Sequence, residues 1–211
     1  MGIPSCWLCI TYILSILTSI YFYGINICLS IWCNHRSRGS IIITYFITDP
    51  SFPFPKILNA IKNKKPTFVC YRNKNYYDES EILEFINFAK KYSKIFINYE
   101  SLKNKDLLTY FDGIHLPSSK LHLIENFKEK IVIASTHNLT EVKNSKNADF
   151  ITFSPIFNSK GRIGVGVEKL NEICKIHKNT IALGGIISNK EVEKIKKSCA
   201  VGFASIRYFL T

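Results

Sequence analysis

The sequence is poor in acidic residues: 16 Asp and Glu stand against 28 Lys and Arg, giving a formal net charge of +12 over 211 residues. It also lacks a basic helix, a zinc-ligand pattern and an RNA-binding motif with interleaved aromatic residues, so the positive charge does not indicate a nucleic-acid-binding protein. The lysines are spread along every predicted helix. We therefore expect no nucleic-acid partner, and a positive field that steers an anionic small molecule.

No disulfide framework is visible among the seven cysteines. Cys6 and Cys9 form a C-x-x-C pair, but both lie in an apolar run and no second pair follows at zinc-finger spacing. We expect no metal site there. The main part of the chain is expected to be a reduced, cytoplasmic protein.

The first 34 residues contain no charged side chain. The apolar run 7–32 is long enough to cross a bilayer, and Arg36 and Arg38 follow it as the positive-inside rule requires of a cytoplasmic flank. A signal peptide fits poorly, because there is no basic n-region. Two interpretations of residues 1–40 stay open: a segment that contacts or spans a membrane, or an extension from a start codon assigned too early. Neither brings a catalytic motif.

Beyond residue 40 the chain alternates between strand-like and helical patterns. The strand-like runs are IIITYFIT (41–48), TFVCYR (67–72), KIFINY (94–99), DGIHLP (112–117), IVIAST (131–136), DFITFSP (149–155), TIALGG (180–185) and VGFASI (201–206). The helical patterns are clearest at 78–92, 167–177 and 188–198.

Eight strands alternating with seven helices predict a (β/α)8 TIM barrel over residues 41–211, compact for this fold at ~170 residues. A doubly wound sheet is the alternative, although the first strand ends in Thr48-Asp49-Pro50 and not in the glycine-rich turn of that fold. Thr211 follows the eighth run too closely for a full final helix. We expect a neighbouring subunit, in a homo-oligomer, or the N-terminal segment to cover the groove between the last and first strands.

Candidate site residues follow the ends of the predicted strands, where parallel barrels place their chemistry. Gly184 and Gly185 end the seventh strand and open a helix, a pattern that exposes N–H groups to an anion such as phosphate. The turn at Ile206 and Arg207 is the companion position after the eighth strand. The alternative is a tight turn that needs glycine for its backbone alone.

Two cations and two histidines also lie at strand ends. Arg72 and Lys74 are expected to point to the same side of the barrel mouth, unless they are ordinary surface charges. His137, close to Ser135 at the end of the fifth strand, is a candidate general acid or base, and His115 competes for that role. A structural histidine is the alternative for both.

Residues 41–207 resemble the thiamine phosphate synthase/TenI family of barrels. The landmarks that carry the resemblance are YRNK (71–74), IN (97–98), DGIHLP (112–117), STHNLTEV (135–142), ADFITFSPIF (148–157), GVGVEKL (164–170), ALGGI (182–186) and VGFASI (201–206). They occur in the order and spacing of the family and cover nearly all of the predicted barrel.

The resemblance implies one of two activities. The synthase joins a pyrimidine diphosphate to a thiazole phosphate and releases pyrophosphate held by Mg2+. This chain departs from the synthase pattern, with Cys70 in place of a glutamine and with Tyr99 and Lys120 in place of the two acidic metal ligands. Glu100 is adjacent to the first of these, but a shift by one residue on a strand is expected to point its side chain elsewhere. No metal ligands are therefore expected, and Mg2+ would be a cofactor only of a synthase.

The TenI branch instead moves a proton on a thiazole phosphate carboxylate and needs no metal. The resemblance implies His137 as acid and base together with Ser135, and a thiazole-phosphate site formed by Arg72, Lys74, Asn98, His115, Ser159, Gly184, Gly185, Ile206 and Arg207. A third interpretation is a non-catalytic binder of thiazole or thiamine phosphate, since Asn158-Ser159 replaces the usual threonine-containing segment. The tautomerase is the favoured prediction.

Overall fold

The computed structural model describes residues 42–211, which form one compact unit. The expectations for residues 1–40, including membrane contact through residues 7–32, lie outside the described residues. Within residues 42–211, no helix combines the length and the apolar composition that crossing a membrane requires.

Eight parallel strands close into a barrel in chain order: β1 (Ile43–Ile47), β2 (Phe68–Tyr71), β3 (Lys94–Asn98), β4 (Gly113–Leu116), β5 (Ile131–Thr136), β6 (Phe150–Phe153), β7 (Thr180–Leu183) and β8 (Gly202–Ser205). Strand β1 pairs with both β2 and β8, which closes the sheet. The predicted (β/α)8 barrel is confirmed and the doubly wound alternative is wrong. Each strand lies inside the apolar run that predicted it.

Six α-helices follow strands: α1 (Phe54–Lys64), α2 (Glu79–Ala89), α3 (Leu139–Asn144), α4 (Gly166–Ile176), α5 (Asn189–Lys196) and α6 (Arg207–Leu210). The β3–β4 and β4–β5 connections contain 3-10 helices instead, at Tyr99–Ser101, Lys105–Tyr110 and Ser118–Phe127. All seven connections between the strands thus contain helices, as predicted, but two of the seven are 3-10 and not α-helical. In the β3–β4 connection, Asn98 and Asn104 each accept an N–H two residues ahead, which starts a new short turn at each asparagine.

Side-chain caps fix where the longer helices begin. Asp78 accepts hydrogen bonds from the N–H groups of Ser80 and Glu81 at the start of α2. Ser188 and Glu191 form a reciprocal capping box at the start of α5. Because these caps follow the carboxyl ends of strands, they also fix the loops that surround the mouth of the barrel.

The interior of the barrel is apolar toward the amino ends of the strands and polar toward their carboxyl ends. Side chains alternate along each strand, so Tyr45 and Ile47 face the inside while Phe46 packs under the helices. Phe68 packs against Phe96 and Phe150 inside the barrel, with ring centroids 5.0 and 5.5 Å apart. The polar side chains, described below, lie closer to the carboxyl ends of the strands.

The single turn of α6 covers part of the groove between β8 and β1. Phe209 packs against Phe46 and Phe203, with ring centroids 5.0 and 6.1 Å apart. The helix after β8 is thus a single turn, as predicted, and the expectation that a neighbouring subunit or the N-terminal segment covers the rest of the groove stays a prediction.

Candidate active site

A cavity of about 820 Å³ opens at the carboxyl ends of the strands. All eleven of the predicted site residues line it: Arg72, Lys74, Asn98, His115, Ser135, His137, Ser159, Gly184, Gly185, Ile206 and Arg207. They come from the ends of seven strands, β2 to β8, and meet only because the barrel closes. The structure therefore places around one cavity all eleven site residues that strand ends and the family resemblance predicted.

Two ion pairs form the wall next to β2 and β3. Arg72 Nη1 lies 3.8 Å from Asp49 Oδ2, and Lys74 Nζ pairs with Glu100 Oε2. Burial alone would raise the pKa of Asp49, but hydrogen bonds from Ser51 and the nearby Arg72 charge outweigh it and lower that pKa. Both cations face the cavity, as alternation along β2 predicted, and each already has a carboxylate partner.

The orientation of Glu100 corrects an expectation from the sequence. Strand β3 ends at Asn98 and the chain turns into a 3-10 helix, so alternation no longer decides where the next side chains point. Glu100 lines the cavity. Tyr99 instead packs against Phe127, with ring centroids 6.1 Å apart. The prediction that Glu100 would point elsewhere is wrong.

His115 is buried in the upper interior and has a partner at each ring nitrogen. Its Nδ1 lies 2.8 Å from the Tyr45 hydroxyl, and its Nε2 lies 2.7 Å from Ser135 Oγ. Burial, reinforced by the charges of Arg72 and Lys74, lowers the pKa of His115 to about 3. His115 is therefore a neutral imidazole near neutral pH, and it lines the cavity together with Ser135 while Tyr45 lies behind them.

His137 lies at the rim of the cavity, where β5 gives way to α3. Its backbone N–H donates to Glu141 Oε2 at 2.7 Å, and its Nδ1 lies 3.0 Å from the same oxygen. Glu141 is itself held by Asn138, whose Nδ2 donates to Oε1 at 2.9 Å. Among the described residues, no protein group engages His137 Nε2. One ring nitrogen is thus fixed by a carboxylate and the other is free to meet a ligand.

Gly184 and Gly185 form a left-handed turn after β7, with φ of 95° and 71°. A Cβ at Gly184 would lie 2.8 Å from Pro155 Cα, and one at Gly185 would lie 2.6 Å from the backbone of Phe157. Both positions therefore require glycine for conformation and for close packing, so the tight-turn interpretation of the sequence is correct. That requirement does not conflict with anion binding, which uses the N–H groups of the same turn.

Ser205 ties the turn after β7 to the turn after β8. Its hydroxyl donates to the Ile186 carbonyl at 2.7 Å and accepts from the Tyr208 N–H at 3.2 Å. Within residues 42–211, no protein acceptor takes the N–H groups of Gly185, Ile186, Ile206 or Arg207. Two adjoining turns therefore offer unpaired backbone donors at one edge of the cavity.

A tight turn after β6 carries Ser159 to the cavity. Ser159 and Arg162 exchange backbone hydrogen bonds of 3.0 and 2.9 Å across Lys160 and Gly161, which both have positive φ. Lys160 and Arg162 line the cavity, and within the described residues neither they nor Arg207 form an ion pair. The unneutralised positive charge therefore lies on the side of the glycine turn.

Sequence reasoning missed several residues of this site, among them four polar or charged side chains: Asp49, Lys160, Arg162 and Ser205. Asp49 and Ser205 lie at the ends of β1 and β8, where the strand-end rule could have found them. Lys160 and Arg162 lie in PIFNSKGR, next to Ser159, and carried no periodic signal because they belong to a turn.

The donors around the cavity do not form a divalent-metal site. Among the described residues there is no group of three His, Cys, Asp or Glu side chains that could hold an ion. The two carboxylates that line the cavity, Asp49 and Glu100, each pair with a cation, and Lys120 is not part of the wall. Mg2+ prefers carboxylates that are free to bind it, so these residues fit the ion poorly.

A family model described as thiamine monophosphate synthase matches residues 44–209, which is nearly the whole barrel. A comparison with curated protein sequences finds no match.

Several solved structures share the fold. A thiamine phosphate pyrophosphorylase from Pyrococcus furiosus is 23% identical, with 78% of this chain and 85% of that chain covered and a TM-score of 0.64. A thiamine phosphate pyrophosphorylase from Bacteroides thetaiotaomicron is 22% identical, with coverage of 80% and 84% and a TM-score of 0.57. An (S)-3-O-geranylgeranylglyceryl phosphate synthase from Thermoplasma acidophilum is 12% identical, with coverage of 82% and 87% and a TM-score of 0.54. At these identities the likeness shows a common barrel.

Proposed function

Because the chain belongs to the thiamine phosphate synthase/TenI family, we propose that it binds a thiazole phosphate carboxylate and moves a proton on it, converting one tautomer into the aromatic one. The observation that supports this proposal most directly is which side chains around the cavity already have a partner. An oriented imidazole, His137, presents a free nitrogen, while Asp49 and Glu100 are engaged by cations. These contacts support a proton-transfer role for His137 and fit an acidic metal site poorly.

The phosphate of the ligand is assigned to the two turns after β7 and β8. Their unpaired N–H groups, at Gly185, Ile186, Ile206 and Arg207, are the donors that a phosphate dianion needs. Lys160, Arg162 and Arg207 add positive charge on that side. This arrangement supports an anionic, phosphorylated ligand, and it leaves the thiazole ring to extend toward β5, where His137 lies.

His137 is assigned the proton transfer. Its Nε2 takes a proton from one carbon of the thiazole and returns a proton to another, so that the total number of protons on the ligand does not change. Glu141 beside Nδ1 holds the ring in place and stabilises the imidazolium that forms between the two steps. His115 lines the cavity but both of its ring nitrogens already have protein partners, so it is not assigned this role, and Ser135 meets the ligand beside it.

The synthase is the second candidate, and one observation favours it. Arg72, Lys74 and Asn98 line one wall, where a diphosphate would find two cations and an amide. Two of the solved structures that share the fold are named thiamine phosphate pyrophosphorylases. The cavity residues fit Mg2+ poorly, as described above, and we therefore rank the synthase second.

One experiment separates these activities. The full chain is incubated with the non-aromatic thiazole phosphate tautomer, and formation of the aromatic product is followed by its ultraviolet absorbance. Parallel reactions contain the pyrimidine diphosphate, Mg2+ or a chelator. We expect aromatic product at a rate that neither Mg2+ nor the chelator changes.

Other outcomes overturn the proposal in distinct ways. Pyrophosphate release that requires both Mg2+ and the pyrimidine diphosphate would establish the synthase, with Arg72 and Lys74 as the diphosphate contacts. Saturable binding of the thiazole phosphate with no turnover under any condition would establish a non-catalytic binder. Absence of both binding and turnover would reject all three.

A further inference from the structure

A buried row of three polar side chains leads from the middle of the barrel to the cavity. Tyr45 is fully buried and its hydroxyl contacts His115 Nδ1 at 2.8 Å. His115, only 3% exposed, contacts Ser135 Oγ through Nε2 at 2.7 Å. Ser135 and His115 both line the cavity, and Tyr45 does not. The direction of the hydrogen bonds in this row decides what the Ser135 hydroxyl offers to a ligand.

Two directions are possible, because a neutral imidazole donates from one nitrogen and accepts at the other. In the first, Tyr45 donates to Nδ1, Nε2–H donates to Ser135, and the Ser135 hydrogen is left for the ligand. In the second, Nδ1–H donates to the Tyr45 oxygen, the Ser135 hydroxyl donates to Nε2, and no Ser135 hydrogen is left for the ligand. Burial lowers the pKa of His115 to about 3, so the doubly protonated ring is not an alternative near neutral pH.

Tyr45 decides between the two directions. A phenol hydrogen that is fully buried needs an acceptor, since an unpaired buried donor keeps its full desolvation cost. Among the described residues, His115 Nδ1 is the acceptor within hydrogen-bonding distance of the Tyr45 oxygen. The nearby Cys70 offers only a thiol sulfur, a weak acceptor, and its own Sγ lies 3.5 Å from the Tyr71 carbonyl. Only the first direction gives the Tyr45 hydrogen a good partner.

We infer that Tyr45 is a positioning residue: it holds His115 as the Nε2–H tautomer and so leaves the Ser135 hydroxyl free to donate a hydrogen bond to the ligand. The role of that donor in catalysis rests on the proposed function. When a proton leaves the thiazole, negative charge spreads over the conjugated ligand, and a fixed donor at the cavity wall stabilises it. Ser135 therefore donates a hydrogen bond and takes no proton, which leaves the proton transfer to His137.

The tautomer is measured first, on the full-length protein without ligand. Histidine is labelled with ¹⁵N, and the His115 signals are identified by their absence from His115→Gln. Protonated and unprotonated ring nitrogens have well-separated ¹⁵N shifts. We expect a protonated Nε2 and an unprotonated Nδ1, and in Tyr45→Phe we expect the Nδ1–H tautomer to appear beside it. A protonated Nδ1 in the wild type would overturn the inference, whatever reaction the protein catalyses.

Kinetics test the consequence of the tautomer. We expect Tyr45→Phe to lower kcat by roughly tenfold with little change in KM, and Ser135→Ala to lower it by roughly ten- to a hundredfold. The double variant should be no slower than Ser135→Ala, because both changes act through one hydroxyl.

Tyr71→Phe is the matched control. The Tyr71 hydroxyl donates to Glu81 at 2.7 Å, and neither residue lines the cavity, so Tyr71→Phe loses a tyrosine hydrogen bond outside the site. Thermal unfolding checks that both phenylalanine variants fold. An unchanged His115 spectrum and an unchanged kcat in Tyr45→Phe would remove Tyr45 from the mechanism. Equal losses of kcat in both phenylalanine variants would show that the effect is structural.

Discussion

His137 is the residue on which the proposed reaction depends most directly. Replacing His137 with Asn keeps a polar side chain of similar size but removes the group that carries the proton. We expect the rate of tautomerisation to fall ~100- to 10,000-fold, the usual contribution of a positioned acid–base group. The rate is measured by the ultraviolet absorbance of the aromatic product under saturating substrate.

His122→Asn is the matched control for this substitution. His122 is exposed and lies on the 3-10 helix Ser118–Phe127, outside the cavity. Its replacement should leave the rate unchanged. A rate within a factor of two of the wild type in His137→Asn would assign the proton transfer to another group.

His115 makes a separate prediction about stability. Burial, with help from Arg72 and Lys74, lowers its pKa from 6.5 to about 3 in the folded protein. Between these values the unfolded chain binds a proton at this residue and the folded chain does not. The free energy of unfolding must therefore fall as the pH falls through this range, by up to about 1.4 kcal/mol per pH unit from this residue.

Urea denaturation at a series of pH values measures this slope. His115→Gln should show a shallower loss of stability below about pH 6.5 than the wild type, even if the variant is less stable at every pH. Parallel slopes for the wild type and His115→Gln would mean that His115 is protonated in the folded protein.

Among single residues, the sequence predicted those that follow strands better than those inside them. Arg72 and His137 stand at strand ends, and the barrel topology brings such positions together whatever their neighbours are. Tyr45 lies in the middle of β1 among apolar residues and looks like core. Its hydrogen bond to His115 joins residues 70 positions apart, so no local pattern could predict it.

At the scale of elements, the turn between β7 and α5 is assigned the phosphate. Substituting Gly185 is a poor test, because any Cβ there would collide with the Phe157 backbone and disturb the turn itself. We therefore expect titration with inorganic phosphate to shift the backbone amide NMR signals of Gly185, Ile186, Ile206 and Arg207. The unpaired N–H groups of these residues are the reason.

The start of α2 provides the control for this titration. The N–H groups of Ser80 and Glu81 already donate to the Asp78 side chain, so phosphate should not shift their signals. Shifts of equal size at both helix starts would indicate non-specific binding to a basic protein. No shift at the Gly185 turn, with shifts elsewhere in the cavity, would move the phosphate to another wall.

The elements also show where patterns stop being reliable. The strands were predicted well because short runs of β-branched residues fit the pleated surface of a buried sheet. The direction of Glu100 was predicted wrongly, since the rule of alternation was carried one residue past the end of β3. Asp112 and Asp149, which open two of the strand-like runs, accept the N–H groups of Ile95 and Val132 at 2.8 Å. These two carboxylates hold backbone N–H groups of neighbouring strands and are not part of the cavity wall.

For the whole molecule, the open question is whether the barrel works without residues 1–40. Residues 42–211 close into a complete barrel, and all of the assigned site residues lie within it. The last turn, α6, covers part of the β8–β1 groove with Phe209. We therefore expect a chain that begins near Ser40 to keep the specific activity and ligand affinity of the full-length protein.

Activity and thermal unfolding of the shortened and full-length chains are compared under the same conditions. Phe209→Ala in the shortened chain is the matched control, because it uncovers the groove from within and should lower the unfolding temperature in a way that the truncation does not. A shortened chain that stays folded but loses activity would show that the first forty residues shape the site. A shortened chain that aggregates, while the full-length protein stays in solution, would show that they cover a surface of the barrel. That surface would then be sought along the β8–β1 groove beyond Phe209, where a single helical turn stands in place of the longer helix that is usual in this fold.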